Sequence, residues 1–184
     1  LNTSDKWLDA SKSACSWYGV TCNGQNHVVG INLEGNGLNG RIPDDIVDFS
    51  GLRALDLSDN DLEGAIPFYL GELSELETLD LSNNRLTNPL PPSLSQLENL
   101  KTLNVANNLL TGSLPADISR LTGLHSLQAN HNSLSGSLPL FQPLIDLEIL
   151  NLGDNEFVGE IPDLPLNLIE LDLSNNRLSG TIPT

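Results

Sequence analysis

The groups in this chain best able to do chemistry are carboxylates, side-chain amides and three histidines. Asp56-Leu57-Ser58-Asp59-Asn60-Asp61 places oxygen ligands at the alternating positions of a calcium loop. Its sixth position is not glycine, and the distal glutamate position falls on Pro67, which excludes an EF-hand. A surface calcium ion between stacked aspartates is the weaker form of that reading. Asp56 and Asp80 could be drawn as a glycosidase pair, yet nothing in the pattern encloses a cleft to raise either pKa. Gly35-Asn36-Gly37-Leu38-Asn39-Gly40 spells G-x-G-x-x-G, but Ile42-Pro43 follows where a phosphate-binding helix should start. His27, His125 and His131 have no metal-ligand spacing with Cys15 or Cys22. No enzymatic activity, resident metal or cofactor is expected.

The same residues are better explained by a repeat that must position them. Asn36, Asn60, Asn84, Asn108 and Asn132 are spaced by 24 residues, and Asn155 and Asn176 follow after 23 and 21. Each closes a phrase such as Leu52-x-x-Leu55-x-Leu57-x-x-Asn60-x-Leu62-x-Gly64-x-Ile66-Pro67. A fixed period of this length with L-x-x-L-x-L-x-x-N is the mark of a solenoid. Leu55 and Leu57 share one face of a short strand, and Asp56 and Ser58 the other. Stacked copies then form a parallel sheet with neighbouring strands about 4.8 Å apart. Asn60 can satisfy backbone groups at the strand's end, and its equivalents should form a buried ladder. Gly64 suits a bend needing positive φ, and Pro67 starts a short outer segment, a turn or brief helix.

The L-x-G-x-[IL]-P ending, present over residues 28 to 183 with Asn88 replacing the glycine in the third copy, resembles the plant-type leucine-rich repeat. That family includes receptor-kinase ectodomains and polygalacturonase-inhibiting proteins. The resemblance implies an α/β solenoid: a right-handed leucine-rich repeat superhelix with a parallel concave β-sheet and seven repeats over residues 28–184. Residues 1–27 resemble the family's amino-terminal cap, with Trp7, Cys15, Trp17 and Cys22. The cap implies a disulfide between Cys15 and Cys22; free thiols or a metal pair are the alternatives. A disulfide in turn implies a secreted or other oxidising compartment. Only six residues precede Trp7 and no second cysteine pair follows the last repeat, so a processed chain or an excerpt of a longer protein is expected. No apolar run approaches the length of a membrane span. Asn2-Thr3-Ser4 is a glycosylation sequon.

With 24 acidic and 8 basic residues the formal charge is −16, which argues against nucleic acid and anionic lipid as partners. A basic protein or peptide would be attracted, although solubility alone also accounts for such a charge. The slot between the strand leucines reads Asn32, Asp56, Asp80, Asn104, Gln128, Asn151, Asp172. Two residues on, an exposed slot is expected at Glu34, Ser58, Ser82, Ala106, Asn130, Gly153 and Ser174. Neither column holds an aromatic residue. Copies two, three and seven carry the family's default Leu-Asp-Leu-Ser, whereas copies four and five depart from it. Lys101, Asn104, His125, Gln128, Asn130 and His131 are therefore the candidate ligand-binding patch. On the outer side, one of Phe68 and Tyr69 is expected to cover the core and the other to be exposed, with Phe141 similar. The leading functional expectation is a module that binds a protein or peptide, as receptor ectodomains do. The alternatives are an inhibitor of polysaccharide-degrading enzymes and a structural or assembly subunit.

Overall fold

A computed structural model describes residues 13–183. The chain winds into stacked coils. One strand of each coil, such as Ala54–Asp56, Thr78–Asp80 and Thr102–Asn104, joins a continuous eight-stranded sheet. Leu55 pairs with Leu79, Leu79 with Leu103 and Leu103 with Leu127, so each slot stands beside its equivalent. The 24-residue period is thus a sheet register. The eighth strand, Val20–Cys22, lies outside the repeats and pairs antiparallel with Val28–Asn32. It occupies a sheet edge that would otherwise offer unpaired backbone groups. The Cys15–Cys22 disulfide, with a Cα–Cα separation of 5.5 Å, ties it to the short turn Ala14–Ser16. Trp7 and Asn2 lie outside the described residues.

The leucines fill the interior. Leu55, Leu79, Leu103 and Leu127 are fully buried, each burial contributing about 2 kcal/mol relative to exposure. A second, seven-stranded sheet runs along one flank, built from Asp61–Gly64, Arg85–Asn88, Leu109–Gly112 and their equivalents just after each ladder asparagine. The repeat phrase, which suggested only a bend there, did not disclose it. At its end Gly64 has φ +81°, and Asn88 adopts the same left-handed geometry at +67°, as asparagine does more readily than most side chains.

The outer segments Asp44–Asp48, Phe68–Glu72, Pro92–Gln96 and Ala116–Arg120 are single 3₁₀ turns, each following a proline with φ between −55° and −72°. No such turn forms in the next two coils, where Pro143 and Pro165 remove a backbone donor. The fifth coil is also one residue shorter. That deletion moves Phe141 into the core slot held by Leu94 and Ile118, and it is fully buried. Phe141 is therefore core, the core-covering one of the two roles expected for an outer aromatic. Phe68 and Tyr69 depart from expectation, since neither covers the core: both are exposed, at 59% and 52%.

Candidate binding surface

The buried asparagines fix the geometry of the sheet's exit. The Asn84 Nδ2 donates to the carbonyls of Leu81 and Ser82 in its own coil and of Leu57 in the preceding one, at 3.2, 3.0 and 2.9 Å. Its Oδ1 accepts from the Leu62 N–H of that preceding coil at 2.9 Å. Asn60, Asn108, Asn132 and Asn155 repeat the pattern. Each asparagine completes the turn of the coil before it, as the sequence led one to expect.

Immediately before each of these asparagines the backbone is left-handed, at Asp59, Asn83, Asn107, His131, Asp154 and Asn175, with φ between +53° and +55°. His131 belongs to this turn and not to a strand. Its Nδ1 lies 3.3 Å from the Asp154 carboxylate in the next coil.

The middle column does face out of the sheet, and much of it is tied internally. Asp56 Oδ1 accepts from the Ser58 N–H and hydroxyl, and its Oδ2 from Asn32. Asp80 accepts in the same way from Ser82 and from Asn104. The column expected to be exposed is buried through the centre: Ser58 is 6% exposed, Ser82 5% and Ala106, which has no hydroxyl, 5%. The two serine hydroxyls are satisfied there by the aspartates two residues earlier. Alternation places a third column on the outward side, beginning each strand, at Ala54, Thr78, Thr102, Ser126, Ile149 and Glu170, of which Ser126 is buried. The period-two rule that placed Asp56 outward applies equally to Ala54 and could have found it.

The six residues of the candidate patch lie in two adjacent coils at three levels along the sheet. Lys101 and His125 precede the strands. Lys101 pairs with Glu77, and His125 Nδ1 lies 2.8 Å from the Gly123 carbonyl. Asn104 and Gln128 stand side by side in the middle column. Asn130 and His131 occupy the exit turn. These residues form a band across the sheet and do not converge on one point. Glu77, hydrogen-bonded to Lys101 and attracted by its charge, has its pKa lowered. Hydrogen bonds from the Ser174 side chain and backbone lower that of Asp172.

Coil five breaks the internal pairing. Gln128 donates backward to the Ser126 hydroxyl at 3.3 Å instead of engaging the slot two residues on. Asn130 Oδ1 is buried with no hydrogen-bond partner, an arrangement that costs about 1–3 kcal/mol.

A stack of coils carrying a polar, gently varied sheet defines a solenoid display protein. A family model described as leucine rich repeat matches residues 72–134, and a second of the same description matches 51–73, 146–168 and 167–184. A probable leucine-rich repeat receptor-like protein kinase of Arabidopsis thaliana is 39% identical over 54 residues, covering 29% of this chain and 6% of the kinase. A chain of the BIR3–SERK2 complex from the same plant is 31% identical with a TM-score of 0.73, covering 97% of this chain and 85% of that one. The ectodomain of the Arabidopsis receptor kinase HAESA, solved with an extended IDA peptide hormone, is 31% identical with a TM-score of 0.79, covering 92% and 34%. The chain belongs to the plant-type leucine-rich repeat proteins.

Proposed function

We propose that this chain is an extracellular recognition module that binds a protein or peptide across the concave sheet at coils four and five. Residues 1–27 act as its cap and 28–184 as seven repeats. The observation that carries the site is the interrupted pairing in coil five, where Gln128 turns back to Ser126 and takes no part in the slot-to-slot bonding of its neighbours. Elsewhere the outward carboxylates of Asp56 and Asp80 already accept from neighbouring serines and asparagines. The same engagement supports a non-catalytic role. The disulfide and the receptor relatives, among them one with a bound peptide hormone, support an extracellular location and this class of partner.

The test is native mass spectrometry of complexes captured from the source by the intact chain and by a Gln128→Arg variant. A partner held at fixed stoichiometry by the parent, and retained about tenfold less by the variant, is expected, since a bulky charge at a contact centre costs at least 1.4 kcal/mol. Equal retention by both would overturn the concave site. Slowing of a polysaccharide hydrolase by the free chain would favour the inhibitor reading instead.

A further inference from the structure

The outer surface carries a second feature that the concave reading does not use. Phe68 and Tyr69 both project from the 3₁₀ turn of coil two, ring centroids 5.7 Å apart and nearly perpendicular at 87°. Each residue is more than half open to solvent. Their carrier turn is firmly seated. The Ser93 hydroxyl of the next coil donates to the Phe68 carbonyl. Gly71 packs so closely on coil three that a Cβ there would stand 2.2 Å from the Ser93 carbonyl oxygen. The rings are therefore held out on a rigid base, and neither serves the core.

The charges on the outer turns around them are all of one sign, with Arg41 standing just before the first of these turns. The preceding outer turn packs against this one and brings exposed Asp44, Asp45 and Asp48, with Asp44 and Asp45 one period before Phe68 and Tyr69. Glu72 closes the same turn and is exposed. The next turn, Pro92–Gln96, carries no charge, so three consecutive outer turns hold four carboxylates and no cation. A lone acidic cluster would only attract counterions, and a lone aromatic pair would accept any apolar surface. Together they favour a flat cation, because a ring face attracts positive charge and the carboxylates supply hydrogen-bond acceptors around it. Guanidinium suits this better than ammonium: it stacks on a ring and still presents its edge donors.

We infer that this outer patch is a docking surface for an arginine-bearing segment of a basic protein partner, separate from the concave sheet. The chain's overall charge of −16 draws such a partner in, and the Phe68–Tyr69 pair gives the encounter a fixed address.

The test is fluorescence anisotropy at low salt with the intact chain and three labelled nine-residue probes alternating glycine with Arg, Lys or Glu. The Arg probe should bind more tightly than the Lys probe, and the Glu probe should not bind. Phe68→Ser/Tyr69→Ser leaves the net charge unchanged and should weaken the Arg probe about fivefold, in line with a cation–π contribution at a partly exposed site. Phe68→Leu/Tyr69→Leu preserves bulk and guards against a loss caused by misfolding; it should weaken the probe similarly. Gln128→Arg should leave the Arg probe within the change expected from one added positive charge elsewhere, which separates this surface from the concave one. Undiminished binding by both aromatic variants, or equal binding of Arg and Lys probes, would overturn the patch and leave only diffuse attraction. Concentration-dependent dimerisation abolished by the same variants would show a second copy as the occupant and overturn it also.

Discussion

Coils two to four and coils six to seven carry nearly the same phrase and live in different environments. In the first group the period is constant, the outer turns are 3₁₀ helices and the slot shared by Leu55, Leu79 and Leu103 is fully buried. In the second, coil six is shorter and its outer segment forms no 3₁₀ turn, and Leu171 of coil seven, in that same slot, is 45% exposed. The side chain is identical; what differs is whether another coil stacks upon it among the described residues. A leucine in a solenoid is made a core residue by its neighbours as much as by its own coil.

That contrast can be broken first at the leucines. Leu103→Ala should destabilise by about 3–4 kcal/mol, and Leu171→Ala by under about 1, because only the former leaves a closed cavity. Urea unfolding followed by circular dichroism measures both, and equal losses would show that the last coil is as tightly packed as the middle ones. The asparagines give the next largest effect. Asn84→Ala strands the Leu62 N–H and three carbonyls and should cost about 3 kcal/mol; Asn176→Ala, in a half-exposed turn, should cost about 1. The outer turns sharpen the comparison further. Gly71→Ala forces a Cβ onto the Ser93 backbone and should cost about 2 kcal/mol, whereas Gly123, with open space around its Cβ position, should tolerate alanine within about 0.5.

The smallest effect is electrostatic. The pKa of Glu77 is lowered by Lys101 in the native state, so the pair's contribution is present above the unfolded glutamate pKa and fades as pH falls through the native one. A carboxyl titration by NMR should find Glu77 below the ordinary glutamate range, and Lys101→Ala should raise it. An unmoved value in the variant would remove Lys101 as the cause.

The core and the asparagine ladder were legible because a slot's identity recurs at a fixed interval and needs no knowledge of the third dimension. The second sheet was not: its strands run through Gly64 and its equivalents, residues that read locally as bends, and they pair only because the stacking aligns them. Burial of Ser58 and Ser82 was hidden for a different reason, since the slot lies where the chain turns at the left-handed residue that follows, and Ala106 is buried there equally without a hydroxyl. The role of His131 could have been read more fully. Every other coil has Gly, Asp or Asn in that slot, the residues that tolerate a left-handed backbone, which marks the position as a turn before it marks it as a ligand. Phe141 and Phe68 could not be told apart without seeing that one missing residue shifts the former inward.

The asparagine bonds also set how the chain can change length. Because each amide grips only its own coil and the one before it, excising one 24-residue unit from the middle brings forward an asparagine that can remake the same bonds to the coil left behind. Duplication works by the same rule in reverse. The stitch is indifferent to how many units it has already joined, so a lineage can lengthen or trim this scaffold by whole turns while every remaining turn stays closed.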